Sequence, residues 1–299
     1  ILPSTYPGIT FDKKGVCVFC LRHRSRWPFA KAHTNAYHNW YKLHLILNRH
    51  RARSGRYDCV VPVSGGKDSM FVLYWCREIA KLSILAVHID TGFVSAQALE
   101  NVQNAISALG VDYVNIELQD DLLKKLYRLF LAKTGDFCTP CTAGLRATIR
   151  QFAFENDIDL IVTGSSPQEE FSPYLAYSDD DYFLSMVGNE IPREKLRPYV
   201  SKPEERRVRT LALPYYVVWN EEKIGHLIKH RIGWRPMVDH GDCLASPVKG
   251  YLWTRRWGFA KPTVKLSAMI RQGHITRKEA LDRIADEEPR AEPPVLPYF

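Results

Sequence analysis

The chain reads as an α/β protein: a twisted parallel sheet with helices on both faces, preceded by a small cysteine-containing module. Three observations predict this. From residue 57 onward, short apolar β-rich runs alternate with helix-length stretches, the pattern of a parallel sheet covered on both faces. The first run, Tyr57 to Val63, passes through Ser64-Gly65-Gly66-Lys67-Asp68-Ser69 directly into Met70 to Cys76, a strand–turn–helix unit. The hydrophobic fraction is 45% of 299 residues, ordinary for a soluble globular protein and enough for one large domain with a small appendage.

Residues 1–28 form an irregular module, punctuated by Pro3, Pro7, Gly8 and Gly15, that carries Cys17-Val18-Phe19-Cys20. Residues 29–56 are a basic linker. Its stretch 30–53 reads as a helix, with Tyr37, Trp40, Tyr41, His44 and Leu45 at helical spacing and expected in core contacts. The main domain spans 57–261. Strand 57–63 leads through the loop to helix 68–80, and strand 84–90 ends at Thr91-Gly92-Phe93. Helix 95–109 stops at Gly110, and strand 113–117 and helix 120–132 follow. Helix 143–156 then leads to strand 159–163. Residues 166–209 read as a proline-punctuated insertion with an acidic run at Asp179-Asp180-Asp181 and a basic patch at Arg206, Arg207 and Arg209. It is long enough to be a lid or a partner surface. Leu211 to Trp219 is expected to return as a strand, Glu221 to His230 as a helix and Gly233 to Cys243 as a loop. Residues 262–299 hold one or two helices, at 267–271 and 276–284, and a Pro-rich tail from Pro289 expected to run extended over the surface.

The net charge is +8, and it is unevenly placed: from Lys13 to Tyr57 there is no Asp or Glu. That block either attracts RNA or a polyphosphate or is a solvated basic helix. No apolar stretch is long enough to span a bilayer and no secretory pattern is present, so the reading is cytoplasmic, with no membrane partner. Seven cysteines in that setting point to thiols, metal or catalysis rather than disulfides.

The Ser64–Ser69 turn is built for an anion. Its glycines let backbone approach a phosphate, the helix start offers free N–H groups, and Lys67 adds a full positive charge. It lacks the Walker A spacing. It resembles the pyrophosphate-binding loop of the N-type ATP pyrophosphatases, Ser-Gly-Gly-x-Asp-Ser. The resemblance implies an adenine nucleotide alpha hydrolase-like fold and cleavage of ATP between the α- and β-phosphates. AMP goes to a carbonyl oxygen and is then displaced by a nitrogen or sulfur nucleophile. It also implies roles: Ser64, Gly65, Gly66, Lys67, Asp68 and Ser69 hold the pyrophosphate, Lys67 and Asp68 act in catalysis, and Asp68 helps hold Mg²⁺. His88 and Asp90 line the adenine or ribose, although Asp90 reads equally well as a helix N-cap. Thr163, Gly164 and Ser165 fall where the α-phosphate or the adenylated substrate should lie. Gln168, Glu169 and Glu170 either orient the acceptor or form a solvated turn.

Cys59 and Cys76 read as core residues. Cys138 and Cys141 flank Thr139-Pro140 just before a helix start, a position that stabilises thiolates. A third cysteine, Cys243, follows in His240-Gly241-Asp242-Cys243. This order resembles the ATP pyrophosphatases that thiolate tRNA, and it implies a 4Fe–4S cluster on Cys138, Cys141 and Cys243 with one iron free for sulfur. Three other readings stay open: one zinc shared by the pairs Cys17/Cys20 and Cys138/Cys141, a persulfide relay on Cys138 and Cys141, or no special role.

Other segments resemble the N-acetyl sugar amidotransferases. These are Pro3 to Pro7, Gly15 to Cys20, Tyr57 to Val63 with the loop, Gly164 to Glu170, Trp257-Gly258-Phe259, and Ser267 with Ile270-Arg271, Gly273 and Ile275 to Leu281. In that family a further Cys-x2-Cys precedes the position of Ile1 and would complete a zinc knuckle with Cys17 and Cys20, so a truncated start is the expectation. A cysteine pair at 138 and 141 has no job in ammonia transfer and has one in sulfur transfer. The reading is therefore a sulfurtransferase acting on a tRNA base, a free purine or another small amide. Its sulfur comes from sulfide or from a cysteine desulfurase or sulfur carrier. The alternative is an amidotransferase fed by a glutaminase subunit. A non-catalytic nucleotide-binding module is the third reading, and a homodimer is compatible with all three.

Overall fold

The computed structural model describes residues 1–6, 8–21, 36–51, 55–118, 121–165, 180–238, 240–271, 273, 275–286 and 291–299. Gln168, Glu169, Glu170 and Asp179, and residues 22–35 and 52–54 of the basic block, lie outside the described residues.

Five parallel strands form one sheet: β1 (Cys59–Pro62), β2 (Ile84–Asp90), β3 (Asp112–Glu117), β4 (Leu160–Thr163) and β5 (Arg209–Ala212), in the order β3-β2-β1-β4-β5. The order reverses between β1 and β4, so a crevice opens outside the carboxyl end of β1, the place where such sheets take ligands. β1 and β4 show only buried positions and one partly buried end, as strands covered on both faces do.

On one face lie α1 (Ala36–Arg51), α2 (Lys67–Tyr74), α3 (Ala96–Leu109) and α7 (Glu221–Ile232), which bury Leu43, Met70, Val102 and Ile228 against Val61 and Ala86. On the other lie α4 (Asp121–Thr134), α5 (Cys138–Glu155) and α6 (Asp180–Val187), which bury Phe130, Ala143 and Phe183 against Val60, Val87 and Ile161. Three more helices follow: α8 (Ser246–Trp257), α9 (Thr263–Arg271) and α10 (Arg277–Asp286). The N-terminal module docks on α8 through Tyr6, Trp253 and Phe259. No helix among the described residues is long and apolar enough to cross a membrane.

Several expectations change. Of the expected set, Tyr41 and Leu45 are 55% and 52% exposed, Trp40 meets the core edge-on at Trp75, and the buried stripe is Leu43, Leu47 and His50. Its spacing of four and three residues faces the sheet one position away from the aromatic set. Helix 68–80 is two pieces, α2 and a π turn at Trp75–Ile79. The strand expected at 211–219 is the short β5, ended by a 3-10 turn at Leu213–Tyr215 in which Pro214 has no N–H for a ladder. Helix α8 was not expected. Its start carries Pro247, which the first turn tolerates, and Gly258 closes it at φ 70. The tail does not simply run along the surface. Leu296–Tyr298 forms a 3-10 turn, and the Phe299 ring lies 4.3 Å from that of Phe137 and 5.4 Å from those of Phe93 and Tyr127.

Candidate active site

The Ser64–Ser69 loop stands at the switch point and is stapled from within. The backbone N–H of Ser64 donates to Ser69 Oγ at 3.1 Å, and Ser69 Oγ donates to the Gly66 carbonyl at 3.0 Å. The Gly66 N–H reaches Ser64 Oγ at 3.3 Å. Gly65 has φ +81°, and a Cβ there would stand 2.2 Å from the Ala98 carbonyl oxygen, so no other residue fits. Its own carbonyl is held by Trp234 Nε1 at 3.0 Å and Asn101 Nδ2 at 3.2 Å. At Gly164 a Cβ would press on the Asp68 backbone at 3.0 Å, so β4 can approach the loop closely only with glycine.

Lys67 and Asp68 open α2. Lys67 Nζ lies 3.1 Å from Asp68 Oδ1 and 3.6 Å from Glu221 Oε1, and Trp219 Nε1 donates to the same Asp68 oxygen at 3.2 Å. The lysine is thus parked on carboxylates at the loop, within reach of an incoming phosphate.

A cavity of about 1230 Å³ fills the crevice. Ser64, Gly66, Lys67, Asp68, Ser69, Thr163, Gly164 and Ser165 line it, as do His88, Cys141 and Cys243. Gly65 and Asp90 are not among the lining residues. Asp90 Oδ1 accepts from the Gly92 N–H at 2.7 Å, and the N-cap of α3 is Ser95, whose Oγ accepts from Ala98 N at 3.2 Å. His88 is 2% exposed and underlies the loop, its Nδ1–H donating to the Val63 carbonyl at 2.7 Å.

Cys138 and Cys141 lie in the first turn of α5, not in a loop before it. Pro140 is accommodated because N–H groups of a first turn have no helical partner. Cys243 reaches them through a strap. Its segment bridges Val94, Leu244 N donates to the Phe93 carbonyl at 2.7 Å, and Ser95 Oγ donates to the Gly241 carbonyl at 2.7 Å. The three thiols influence one another electrostatically, and the Tyr127 hydroxyl is within hydrogen-bonding reach of Cys141.

The helix start does not make these thiols acidic, because burial outweighs it. Burial pushes Cys138 up to about 11 against the pull of Lys249, and Cys141 up to about 12 with help from its two cysteine neighbours. Cys243 is raised for the same reason. Cys17 and Cys20 sit apart from this group. Their sulfurs are 3.4 Å from each other and feel the Arg271 guanidinium. Burial opposes ionisation of Cys17, but the N–H and thiol of Cys20 outweigh it and lower its pKa, while burial raises Cys20. Among the described residues no three His, Cys, Asp or Glu side chains, in this pair or in the trio, gather around a point that a single metal ion would occupy.

Asn101, Trp234, Asp242, Tyr127 and Lys249 escaped sequence reasoning. Only Asn101 carried a signal, as a polar residue on the buried stripe of Ala98, Val102 and Ala105.

An all-parallel sheet with a Ser-Gly-Gly-Lys-Asp-Ser turn at its switch point is an α/β arrangement suited to a phosphate-bearing ligand. Residues 39–177 match the family model of NAD synthase, and residues 234–297 match that of the C-terminal domain of WbpG-like LPS biosynthesis proteins. An uncharacterized protein of Methanocaldococcus jannaschii is 29% identical over 281 residues, which is 91% of this chain and 86% of that one. The NH(3)-dependent NAD(+) synthetase of Archaeoglobus fulgidus is 30% identical over 159 residues, 50% of this chain and 62% of that one. Among solved structures, NMN synthetase from Francisella tularensis is matched at a TM-score of 0.35 and 13% identity, over 74% of this chain and 93% of that one. U34-tRNA thiolase NcsA from Methanococcus maripaludis, solved with its 4Fe–4S cluster, is matched at 0.42 and 15%, over 92% and 90%. The NAD synthase match spans the Ser64–Ser69 loop, and the chain is similar there to the N-type ATP pyrophosphatases.

Proposed function

We propose that the protein uses ATP to adenylate a carbonyl oxygen of an acceptor, releasing pyrophosphate, and then replaces that oxygen with sulfur, releasing AMP. One observation carries the choice of sulfur: Cys141 and Cys243 line the same cavity as the pyrophosphate loop, with Cys138 one turn of helix away.

The loop N–H groups, Lys67 and the Ser64 and Ser69 hydroxyls take the β,γ-pyrophosphate and offset its charge as it leaves. Asp68 offers a hard carboxylate oxygen at the cavity wall, which suits Mg²⁺ beside the phosphates. Thr163, Gly164 and Ser165 face the α-phosphate and the acceptor, and His88 backs the adenine side. Three neighbouring thiols suit an iron–sulfur cluster on Cys138, Cys141 and Cys243. When bound, that cluster supplies an iron position able to take up sulfur. Sulfur comes from sulfide or from a desulfurase or carrier partner. The acceptor is a nucleobase, in tRNA or free.

The test is anaerobic purification followed by iron analysis and a product assay. A brown protein that forms AMP, pyrophosphate and thiolated acceptor, with both colour and product lost in Cys138→Ala, is the expected result. Release of ADP and phosphate instead sinks the reading.

The match of residues 234–297 to the WbpG-like C-terminal domain favours a second reading. There ammonia from a glutaminase partner displaces AMP from an acetamido sugar, and Cys17 and Cys20 hold half of a zinc knuckle. Colourless protein that consumes ammonia selects it.

A further inference from the structure

We infer that the buried ion pair between Asp136 and Lys249 is a positioning device that holds Cys243 in register with Cys138 and Cys141. The inference rests on the reading of these three cysteines as one working unit, and it adds two residues to that unit.

Lys249 Nζ lies 2.7 Å from Asp136 Oδ1, with the side chains 6% and 1% exposed. Each partner belongs to one of the two segments that carry the cysteines. Asp136 stands immediately before α5. Its Oδ1 also accepts from the Cys138 N–H at 3.3 Å, and its Oδ2 accepts from the Thr139 hydroxyl at 3.3 Å. It therefore fixes the first turn, on which Cys138 and Cys141 ride. Lys249 stands one turn into α8, the helix that begins three residues beyond Cys243. The turn between them is closed by the Ser246 N–H donating to the Cys243 carbonyl at 3.1 Å, and Lys261 Nζ bonds Ser246 Oγ. The Lys249 ammonium also sits 4.5 Å from the centroid of the Trp253 ring.

No backbone ladder joins α5 to α8. The Val94–Cys243 bridge ties the cysteine strap to the β2–α3 connection instead, so it does not set the distance from Cys243 to α5. A buried ion pair is a poor source of net stability, because desolvating both charges consumes most of their attraction. Its best-attested use is to specify register between packed elements. The pair links the two thiol-bearing segments, beside a second buried tie in which Trp253 Nε1 of α8 donates to the Gly135 carbonyl at 3.0 Å, and it fits that use.

The test needs no catalysis. Full-length, reduced, metal-free protein is treated with dibromobimane, which cross-links neighbouring thiols, and the linked peptides are identified by mass spectrometry. The wild type is expected to link Cys243 to Cys138 or Cys141. The neutral double variant Asp136→Asn/Lys249→Met, which leaves no unpaired buried charge, is expected to melt near the wild-type temperature and to lose that link at least fivefold. Lys249→Arg should restore most of it. Absence of the link in the wild type, a folded double variant that links at the wild-type yield, or a double variant that fails to fold would each overturn the inference, the last by making the pair a general stabiliser. Failure to find thiolated product while the linking pattern holds counts against the sulfur-transfer reading alone.

Discussion

Trp234 and Asn101 share one acceptor, the carbonyl oxygen of Gly65, at 3.0 Å and 3.2 Å. Neither neighbours the loop in sequence, and both are buried. Together they satisfy that carbonyl and fix the Gly65–Gly66 peptide of the loop. Trp234→Phe keeps the ring bulk and one donor on the carbonyl, so its expected cost is about 1 kcal/mol. Asn101→Ala also strands the Arg235 N–H and carbonyl, which bond Asn101 at 2.8 and 3.0 Å, and should cost roughly 2–3 kcal/mol. The double variant should lose more than the sum, because each single variant leaves the carbonyl one donor and the double leaves it none. Urea denaturation and ATP affinity check this. Stability lost with ATP affinity intact would detach the pair from loop function.

Gly65 and Gly110 make a matched comparison, since both have positive φ. Gly110→Ala meets open space at the end of α3 and pays only for the left-handed backbone, about 1–2 kcal/mol. Gly65→Ala meets the Ala98 carbonyl as well and should cost roughly 2–5 kcal/mol and abolish ATP binding. Calorimetric melting with nucleotide titration separates them. Equal losses in the two variants would mean that the loop has room the geometry denies.

The loop and the strand–helix alternation were legible because they are local. The apolar runs of β1 and β2, the Ser95 cap and Gly110 at φ 57 each declare themselves within a few residues. What stayed hidden depends on pairs far apart in the chain. The Trp234 indole serves a carbonyl 169 residues away, and the thiol trio forms only after the Cys243 strap crosses to Val94. The pair Cys138/Cys141 was visible as a motif, but the sign of its pKa shift was not, since burial is a property of the folded site. Helix α1 shows the same gap: its periodicity was right, and only packing decided which stripe faces the sheet.

The thiols impose an alkaline limit on stability. In the unfolded chain a cysteine ionises near 8.5. In the fold Cys138 and Cys141 hold their protons up to about 11 and about 12. The native state therefore binds more protons than the unfolded state above that lower value. Their contribution is complete below pH ~8.5 and is lost as pH climbs through the folded values. Urea midpoints of reduced, metal-free protein between about pH 7.5 and 10.5 should fall more steeply for the wild type than for Cys141→Ser, whose hydroxyl does not titrate there. Parallel curves would show that Cys141 is not buried as described.

Phe299 closes the wall behind those thiols. Its ring stands 4.3 Å from Phe137, which precedes the Cys138 turn, and 5.4 Å from Tyr127, whose hydroxyl reaches Cys141. Removing it strips an aromatic partner from Phe137, Tyr127 and Phe93 beside the cysteine site. Phe299→Ala should cost about 1–3 kcal/mol, less than a fully buried phenylalanine because the ring keeps part of its surface in solvent. It should also speed alkylation of Cys141 by iodoacetamide under native conditions several-fold, while Cys17 and Cys20, packed elsewhere beside Arg271, react at an unchanged rate. Peptide-resolved alkylation kinetics measure all three at once. Uniform acceleration at every cysteine would mean that the variant merely loosens the fold, and no acceleration at Cys141 would mean that the tail does not guard it.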